Sequence, residues 1–168
     1  MEAGSRRISG KLFSLPEYAG AKTIMFYASF KNEVMTDAMI EYALSDKKKV
    51  VLPAVRGRDL KLYEVNPPGC RLVKGELGIR EPRGCGTEVD PGSVDLVVVP
   101  GVAFDRACGR IGFGRGFYDR FLGGLKKPGK KPAFIGIAFG VQIAEELFLG
   151  EKDVRMDKVI TENEIISP

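Results

Sequence analysis

Histidine is absent from this chain of 168 residues. That absence removes any Ser-His or Cys-His nucleophile pair and any histidine-bound metal, so acid–base work falls to carboxylates, lysine, tyrosine or the substrate itself. Cysteine is scarce. Cys70, Cys85 and Cys108 are too few and oddly numbered for a disulfide framework, and they lack zinc-ligand spacing. A reducing cytoplasm is the simplest reading, with inert thiols. No apolar run is long enough to span a membrane, and the opening Met-Glu-Ala-Gly-Ser-Arg-Arg lacks the apolar core of a signal peptide. The net charge is only +4, which permits an anionic ligand without implying nucleic acid. The short runs Lys47-Lys48-Lys49 and Lys126-Lys127…Lys130-Lys131 read as solvated ends of helices or loops.

What is present suits one folded domain over residues 1–168: 44% of the residues are hydrophobic, enough for a full-sized core. Ile8, Leu12 and Leu15 have helical spacing, and Pro16 ends that segment. Thr23 to Ala28 reads as a buried strand. Thr36 can cap a helix that has Asp37 in its first turn and Met39, Ile40, Ala43 and Leu44 on one face. Lys49 to Pro53 and Leu60 to Val65 read as two further strands, and the Pro- and Gly-rich stretch from Asn66 to Gly92 as a surface excursion. Val94 to Val99 has the all-apolar character of a central parallel strand. A helix over Phe117 to Leu125, a strand over Ala133 to Phe139, a helix over Gln142 to Leu149 and a short strand over Lys158 to Thr161 complete the pattern. This alternation predicts an α/β fold with a mainly parallel sheet flanked by helices. Ligands of such sheets bind beyond the carboxyl ends of the strands, where the loop from Pro100 to Asp119 is expected.

That loop carries the chemistry. Gly112, Gly114 and Gly116 alternate with larger residues, Arg110 and Arg115 bracket them, and Asp119 follows at the start of the helical stretch. Glycines let the backbone approach a ligand, a helix start leaves N–H groups free for an anion, and guanidiniums bind phosphate oxygens. A nearby carboxylate suits Mg²⁺, which takes one or two carboxylates plus phosphate oxygens. The spacing is neither the dinucleotide fingerprint nor a P-loop. On the glycines alone, a tight loop without ligand is as good a reading as a phosphate site. Asp119 also fits an ordinary helix N-terminal acid, Phe113 and Phe117 fit the core, Asp153 a surface pair with Arg155 or Lys158, and Gln142 a helix cap.

The longer string is more specific. Pro-Gly-Val-Ala-Phe-Asp (residues 100–105), four intervening residues, then Arg-Ile-Gly-Phe-Gly-Arg-Gly-Phe-Tyr-Asp-Arg-Phe-Leu resembles the signature of the 5-formyltetrahydrofolate cyclo-ligase family. Phe26-Tyr27-Ala28-Ser29, Glu33-Val34-x-Thr36, Val51-Leu52-Pro53, Gly78-Ile79-Arg80-Glu81-Pro82, Gly136 to Gln142 and Asp157 to Glu162 agree in order, so the resemblance runs from about Ser5 to Glu162.

The resemblance implies a three-layer fold of the NagB/RpiA/CoA-transferase type. It also implies ATP- and Mg²⁺-dependent closure of 5-formyltetrahydrofolate into 5,10-methenyltetrahydrofolate. Arg110, Ile111, Gly112, Phe113, Gly114, Arg115, Gly116, Phe117 and Tyr118 would line the triphosphate, with Arg115 stabilising the transferring phosphoryl group. Asp119 and Asp153 would bind Mg²⁺. Glu33 would contact the pterin donors, and Ala28 and the stretch Phe113 to Phe117 would also touch the folate. The expected partners are these small molecules, with no membrane or nucleic acid, and the chain is expected to be a cytoplasmic monomer. Cys108 stands where the family usually has glycine, Phe117 where it has the first of two tyrosines, and Lys152 where it has histidine. Family members usually begin with one further helix whose Lys and Arg reach the nucleotide. Ser5-Arg6-Arg7-Ile8 is expected to align with the turn after it. That difference keeps open a reading of another class, a non-catalytic folate- or nucleotide-binding relative; an RNA-binding basic surface is a third.

Overall fold

A strand that is apolar at every position must be covered on both faces. The computed structural model, which describes residues 1–65, 72–75, 78, 80–82, 86–125 and 131–168, shows how this is achieved. In chain order the elements are α1 (Glu2–Phe13), α2 (Pro16–Gly20), β1 (Thr23–Met25), α3 (Asp37–Ser45), β2 (Lys49–Arg56), β3 (Asp59–Glu64), β4 (Leu72–Lys74), β5 (Arg80–Pro82), β6 (Glu88–Val89), β7 (Leu96–Val99), β8 (Ala103–Asp105), β9 (Arg110–Ile111), α4 (Phe117–Leu125), β10 (Ala133–Ile137), β11 (Ile143–Ala144), β12 (Lys158–Ile160) and β13 (Ile165–Ile166). Cys70, Cys85, Lys126, Lys127, Lys130 and Ile79 lie outside the described residues.

The main sheet has the order β13-β12-β10-β7-β1-β2-β3-β6. Strands β12, β10, β7, β1 and β2 run parallel; on one edge β13 pairs antiparallel with β12, and on the other β3 pairs antiparallel with β2 and β6 antiparallel with β3. The four residues of β7 are fully buried at its centre. Side chains alternate across a strand. Leu96 and Val98 therefore join Ile8 and Leu12 of α1, Tyr18 of α2 and Met39 of α3 on one face. Val97 and Val99 join Phe134, Leu122 and Leu125, the last two from α4, on the other. The expected three-layer α/β architecture is the result.

Local departures from expectation have local causes. Ile8 and Leu12 lie in a helix as their spacing predicts, but α1 also takes in Ser5, Arg6 and Arg7, which the resemblance aligned with a turn, and Ser5 shares its buried face. Pro16 opens α2 at its first turn, where a missing N–H costs nothing. β1 ends at Met25, although Phe26 N–H still donates to the Val51 carbonyl at 3.0 Å. Thr36 precedes α3 as expected, yet its hydroxyl makes no cap bond. It donates instead to the Tyr27 carbonyl at 2.6 Å and accepts from Ser29 N–H at 3.2 Å. The Tyr27 hydroxyl donates to the Val34 carbonyl at 2.9 Å. These bonds fasten residues 27–36, with Ala28 and Glu33, into a fixed loop beyond the carboxyl end of β1.

The helix expected over Gln142 to Leu149 does not form. A single 3-10 turn spans Gly140–Gln142, and β11 then pairs with β8. The Leu147 N–H that such a helix would use is taken by the buried Asp105 at 3.1 Å, and just ahead of the segment Glu162 accepts from Gly140 at 2.8 Å. Gln142 caps the 3-10 turn and no α-helix: its Oε1 accepts from Phe139 N–H at 2.8 Å. Its Nε2 donates to the Gly101 carbonyl at 2.8 Å and ties the loop after β10 to the loop after β7.

Packing between layers is tight at Gly136 in β10, where an added Cβ would come within 2.6 Å of the buried Phe104 ring. Gly123 on α4 faces open space. Gly136→Ala is expected to lower stability by about 1–3 kcal/mol by overpacking. Gly123→Ala is expected to raise it by roughly 0.5–1 kcal/mol through helix propensity. Urea unfolding of both variants checks this, and an unchanged midpoint for Gly136→Ala would contradict the packing described.

Candidate active site

Loops at the carboxyl ends of β1 and β7 meet the segment around Asp153 and enclose a cleft of about 490 Å³. Its lining contains Ala28, Glu33, the whole stretch Arg110 to Asp119, and Asp153. The structure thus brings together every residue the sequence singled out for a site, from segments far apart in the chain.

The glycine loop runs from β9 to α4. Gly114 and Gly116 have φ of 81° and 64°, in the left-handed region that side chains disfavour. Gly112 is needed for space: a Cβ there would lie 2.8 Å from Arg110 Nη1. The turn leaves Arg115 exposed, and Phe113, read above as possible core, is 72% exposed. Arg120 fixes the loop from behind. Its guanidinium donates to the Arg115 carbonyl at 3.0 Å and to the Arg58 carbonyl at 2.8 Å, and it lies over the Phe117 ring.

Beneath the loop sits Arg110, only 3% exposed. Its Nη2 donates to Asp119 Oδ1 at 2.8 Å and its Nη1 to the Pro100 carbonyl at 3.3 Å. Asp119 Oδ1 also accepts from Val154 N–H at 3.3 Å. Asp119 is therefore held in a charged pair as well as standing in the first turn of α4. Asp153 accepts from Gly150 N–H at 2.7 Å; it does not pair with Arg155 or Lys158, which bond to Ala107 and Glu17. Among the described residues no group of three or more His, Cys, Asp or Glu is clustered as a metal site.

Glu33 and the cleft tyrosines are equally constrained. Glu33 Oε2 accepts from Phe30 N–H at 2.8 Å. Burial pushes its carboxyl above the usual range, against the lowering effect of that bond. Burial, and then the Glu33 carboxylate, raise the hydroxyls of Tyr27 and Tyr118. Both tyrosines stay protonated near neutrality and act as hydroxyls rather than bases.

Four cationic side chains line the cleft: Lys31, Arg80, Arg110 and Arg115. Arg80 pairs with Asp37 at 2.9 Å and Arg110 with Asp119. Arg115 and Lys31 have no carboxylate partner among the described residues, so theirs are the charges open to an incoming polyanion. Lys31, with φ of 52°, carried no sequence signal beyond its place between Phe30 and Glu33. Arg80 and Glu81 lay within a segment quoted for resemblance alone, and only the tertiary structure puts them on the cleft. Cys108, at a position usually glycine in the family, has φ of 58° and is fully buried; burial pushes its thiol up, in keeping with an inert role.

Comparison with known proteins places the chain in a family. Residues 1–162 match the model of the 5-formyltetrahydrofolate cyclo-ligase family. A probable 5-formyltetrahydrofolate cyclo-ligase of Schizosaccharomyces pombe is 29% identical over 99% of this chain and 87% of its own length. The 5-formyltetrahydrofolate cyclo-ligase of Escherichia coli K12 is 31% identical over 92% of this chain and 86% of its own. The solution structure of Aquifex aeolicus 5,10-methenyltetrahydrofolate synthetase superposes with a TM-score of 0.82 at 36% identity, covering 97% of this chain and 80% of that one. A loop of alternating glycines between β9 and α4, a carboxylate pinned behind it and a fixed glutamate beyond β1 thus stand in a chain that belongs to the 5-formyltetrahydrofolate cyclo-ligase family.

Proposed function

We propose that this chain uses ATP to close 5-formyltetrahydrofolate into 5,10-methenyltetrahydrofolate, with release of ADP and phosphate. One observation carries the reading: the glycine–arginine loop, Glu33, Asp119 and Asp153 share one cleft. Its volume is within the roughly 300–1,000 Å³ of small-molecule sites.

The reaction needs positioning more than proton transfer. The formyl oxygen attacks the γ-phosphorus, and the bond to ADP breaks. The resulting imidate phosphate has an electrophilic carbon. N10 attacks that carbon, the carbon–oxygen bond to phosphate breaks, and the N10 proton leaves with the phosphate. No side-chain base is required, which accords with a chain that has no histidine. Arg115, with its charge unpaired among the described residues, faces the transferring phosphoryl group and stabilises its developing charge. Glu33, anchored by Phe30 N–H, accepts hydrogen bonds from the pterin. Ala28 and the backbone of the glycine loop leave room for the ring to lie against the phosphates.

The donor set suits Mg²⁺, a hard cation that takes one or two carboxylates and completes its shell with phosphate oxygens. Asp119 Oδ2 and Asp153 Oδ1 carry no hydrogen bond among the described residues, so each carboxylate has an oxygen to offer. When bound, the ion supplies charge neutralisation at the phosphates.

Two variants test these assignments. Arg115→Ala is expected to lower turnover on the order of 10²-fold or more, followed as the near-ultraviolet absorbance of the methenyl product. Full activity would remove Arg115 from its role. Glu33→Gln is expected to weaken folate binding roughly 10- to 100-fold, the worth of hydrogen bonds to a charged group, with ATP affinity unchanged. Its stability should move the other way. A carboxyl whose folded pKa lies above its unfolded value costs stability once it ionises. Glu33→Gln should therefore melt above wild type at neutral pH, with the gap closing as pH falls into the usual carboxylate range. A lower melting temperature at neutral pH would contradict the burial argument.

A further inference from the structure

Arg110 resembles a triphosphate ligand in sequence, but its geometry points to a different task. We infer that Arg110 is a positioning residue: it holds Asp119 in the orientation that receives a divalent cation, and it does not itself bind the triphosphate. The inference rests on the nucleotide reading above and deepens it.

Two observations support it. First, the guanidinium is already committed. Nη2 bonds Asp119 Oδ1 at 2.8 Å and Nη1 the Pro100 carbonyl at 3.3 Å, so the side chain spans the end of β7 and the first turn of α4. Its positive charge is neutralised where it sits, unlike that of Arg115 on the same cleft. Second, the surroundings are shaped to the side chain. A Cβ on Gly112 would come within 2.8 Å of Nη1, and one on Gly101 within 3.1 Å of Cγ. Gly112, which reads as a ligand-approach residue in sequence, makes room for an arginine instead, and Gly101 makes room for the Phe104 ring and for that arginine. The Tyr118 ring lies 5.6 Å from the guanidinium carbon and packs against it.

The consequence concerns Asp119. With Oδ1 fixed by Arg110 and by Val154 N–H, Oδ2 is the oxygen left for a cation. Groups that orient a metal-binding carboxylate from behind typically contribute about 10- to 100-fold in metal affinity. Arg110 should therefore govern metal affinity, while Arg115 governs nucleotide affinity and turnover.

Mn²⁺ with ADP tests this without turnover. Mn²⁺ affinity of the protein–ADP complex is read by electron paramagnetic resonance, and ADP affinity at saturating Mn²⁺ by calorimetry. Arg110→Met is expected to weaken Mn²⁺ binding about 10-fold or more and to change ADP affinity less than about 3-fold. Arg110→Lys should recover part of the metal affinity. In an Asp119→Asn background, Arg110→Met should have no further effect on Mn²⁺, because the two residues act as one unit. Should Arg110→Met fail to fold by circular dichroism, Arg110→Lys carries the test: the lysine keeps the charge but cannot reach both acceptors, so metal affinity should fall while ADP affinity holds. Loss of ADP affinity at saturating Mn²⁺, of the size seen in Arg115→Gln, would overturn the inference. So would an effect additive with Asp119→Asn. Wild-type protein that shows this binding pattern but does not convert 5-formyltetrahydrofolate would refute the proposed reaction and leave the role of Arg110 standing. Conversion with a reversed binding pattern would do the opposite.

Discussion

A guanidinium placed at the carboxyl end of a parallel sheet, out of contact with water, has to be neutralised on the spot. In this chain Asp119 does so for Arg110, and the surrounding structure is arranged to let them meet. β7 delivers the Pro100 carbonyl, β9 delivers the arginine, and α4 delivers the aspartate. Gly101 and Gly112 give the side chain its room. Breaking a buried pair by removing one partner generally costs about 3–5 kcal/mol, because the other charge is left stranded. The same contact thus fixes where α4 begins and how the glycine loop must bend to reach it.

The chemistry that the site supports follows from what it lacks as much as from what it holds. With no histidine, and with both cleft tyrosines held protonated, the chain has few proton carriers near neutrality. Phosphorylation of a formyl oxygen asks for none. It asks that two reactants be held together and that charge be offset as it shifts. A rigid loop after β1 holds Glu33 through Tyr27, Thr36 and Phe30. A rigid loop before α4 is clamped by Arg120 to the β2–β3 turn at Arg58. Both walls are fixed by hydrogen bonds that involve backbone groups.

The fold was largely legible because β7 and α4 speak through periodicity: four buried residues in one case, a helix with the bounds expected in the other. The cleft was legible through the glycine–arginine string and its resemblance, which named the right segments. What sequence could not convey was which charge meets which. Arg110 and Arg115 look alike in one dimension, yet one is buried on a carboxylate and the other is exposed. The Gln142 to Leu149 segment misled for a related reason. Its Leu147 N–H is taken by Asp105, and the Gly140 N–H just before it by Glu162, carboxylates distant in sequence, and the exposed Phe148 never forms a helical face. Lys31 went unnoticed because a lone lysine in a loop has no pattern to reveal it.

The central claim is that this cleft sets the formyl oxygen of the folate against the γ-phosphate of ATP. Heavy oxygen in the formyl group tests it most directly. The reaction is run with 5-formyltetrahydrofolate labelled with oxygen-18 in its formyl group, and the inorganic phosphate is analysed by mass spectrometry. The account predicts one labelled oxygen in each phosphate released with methenyl product. Unlabelled phosphate, with the heavy oxygen in water instead, would show that the formyl oxygen never attacked phosphorus and would contradict the account.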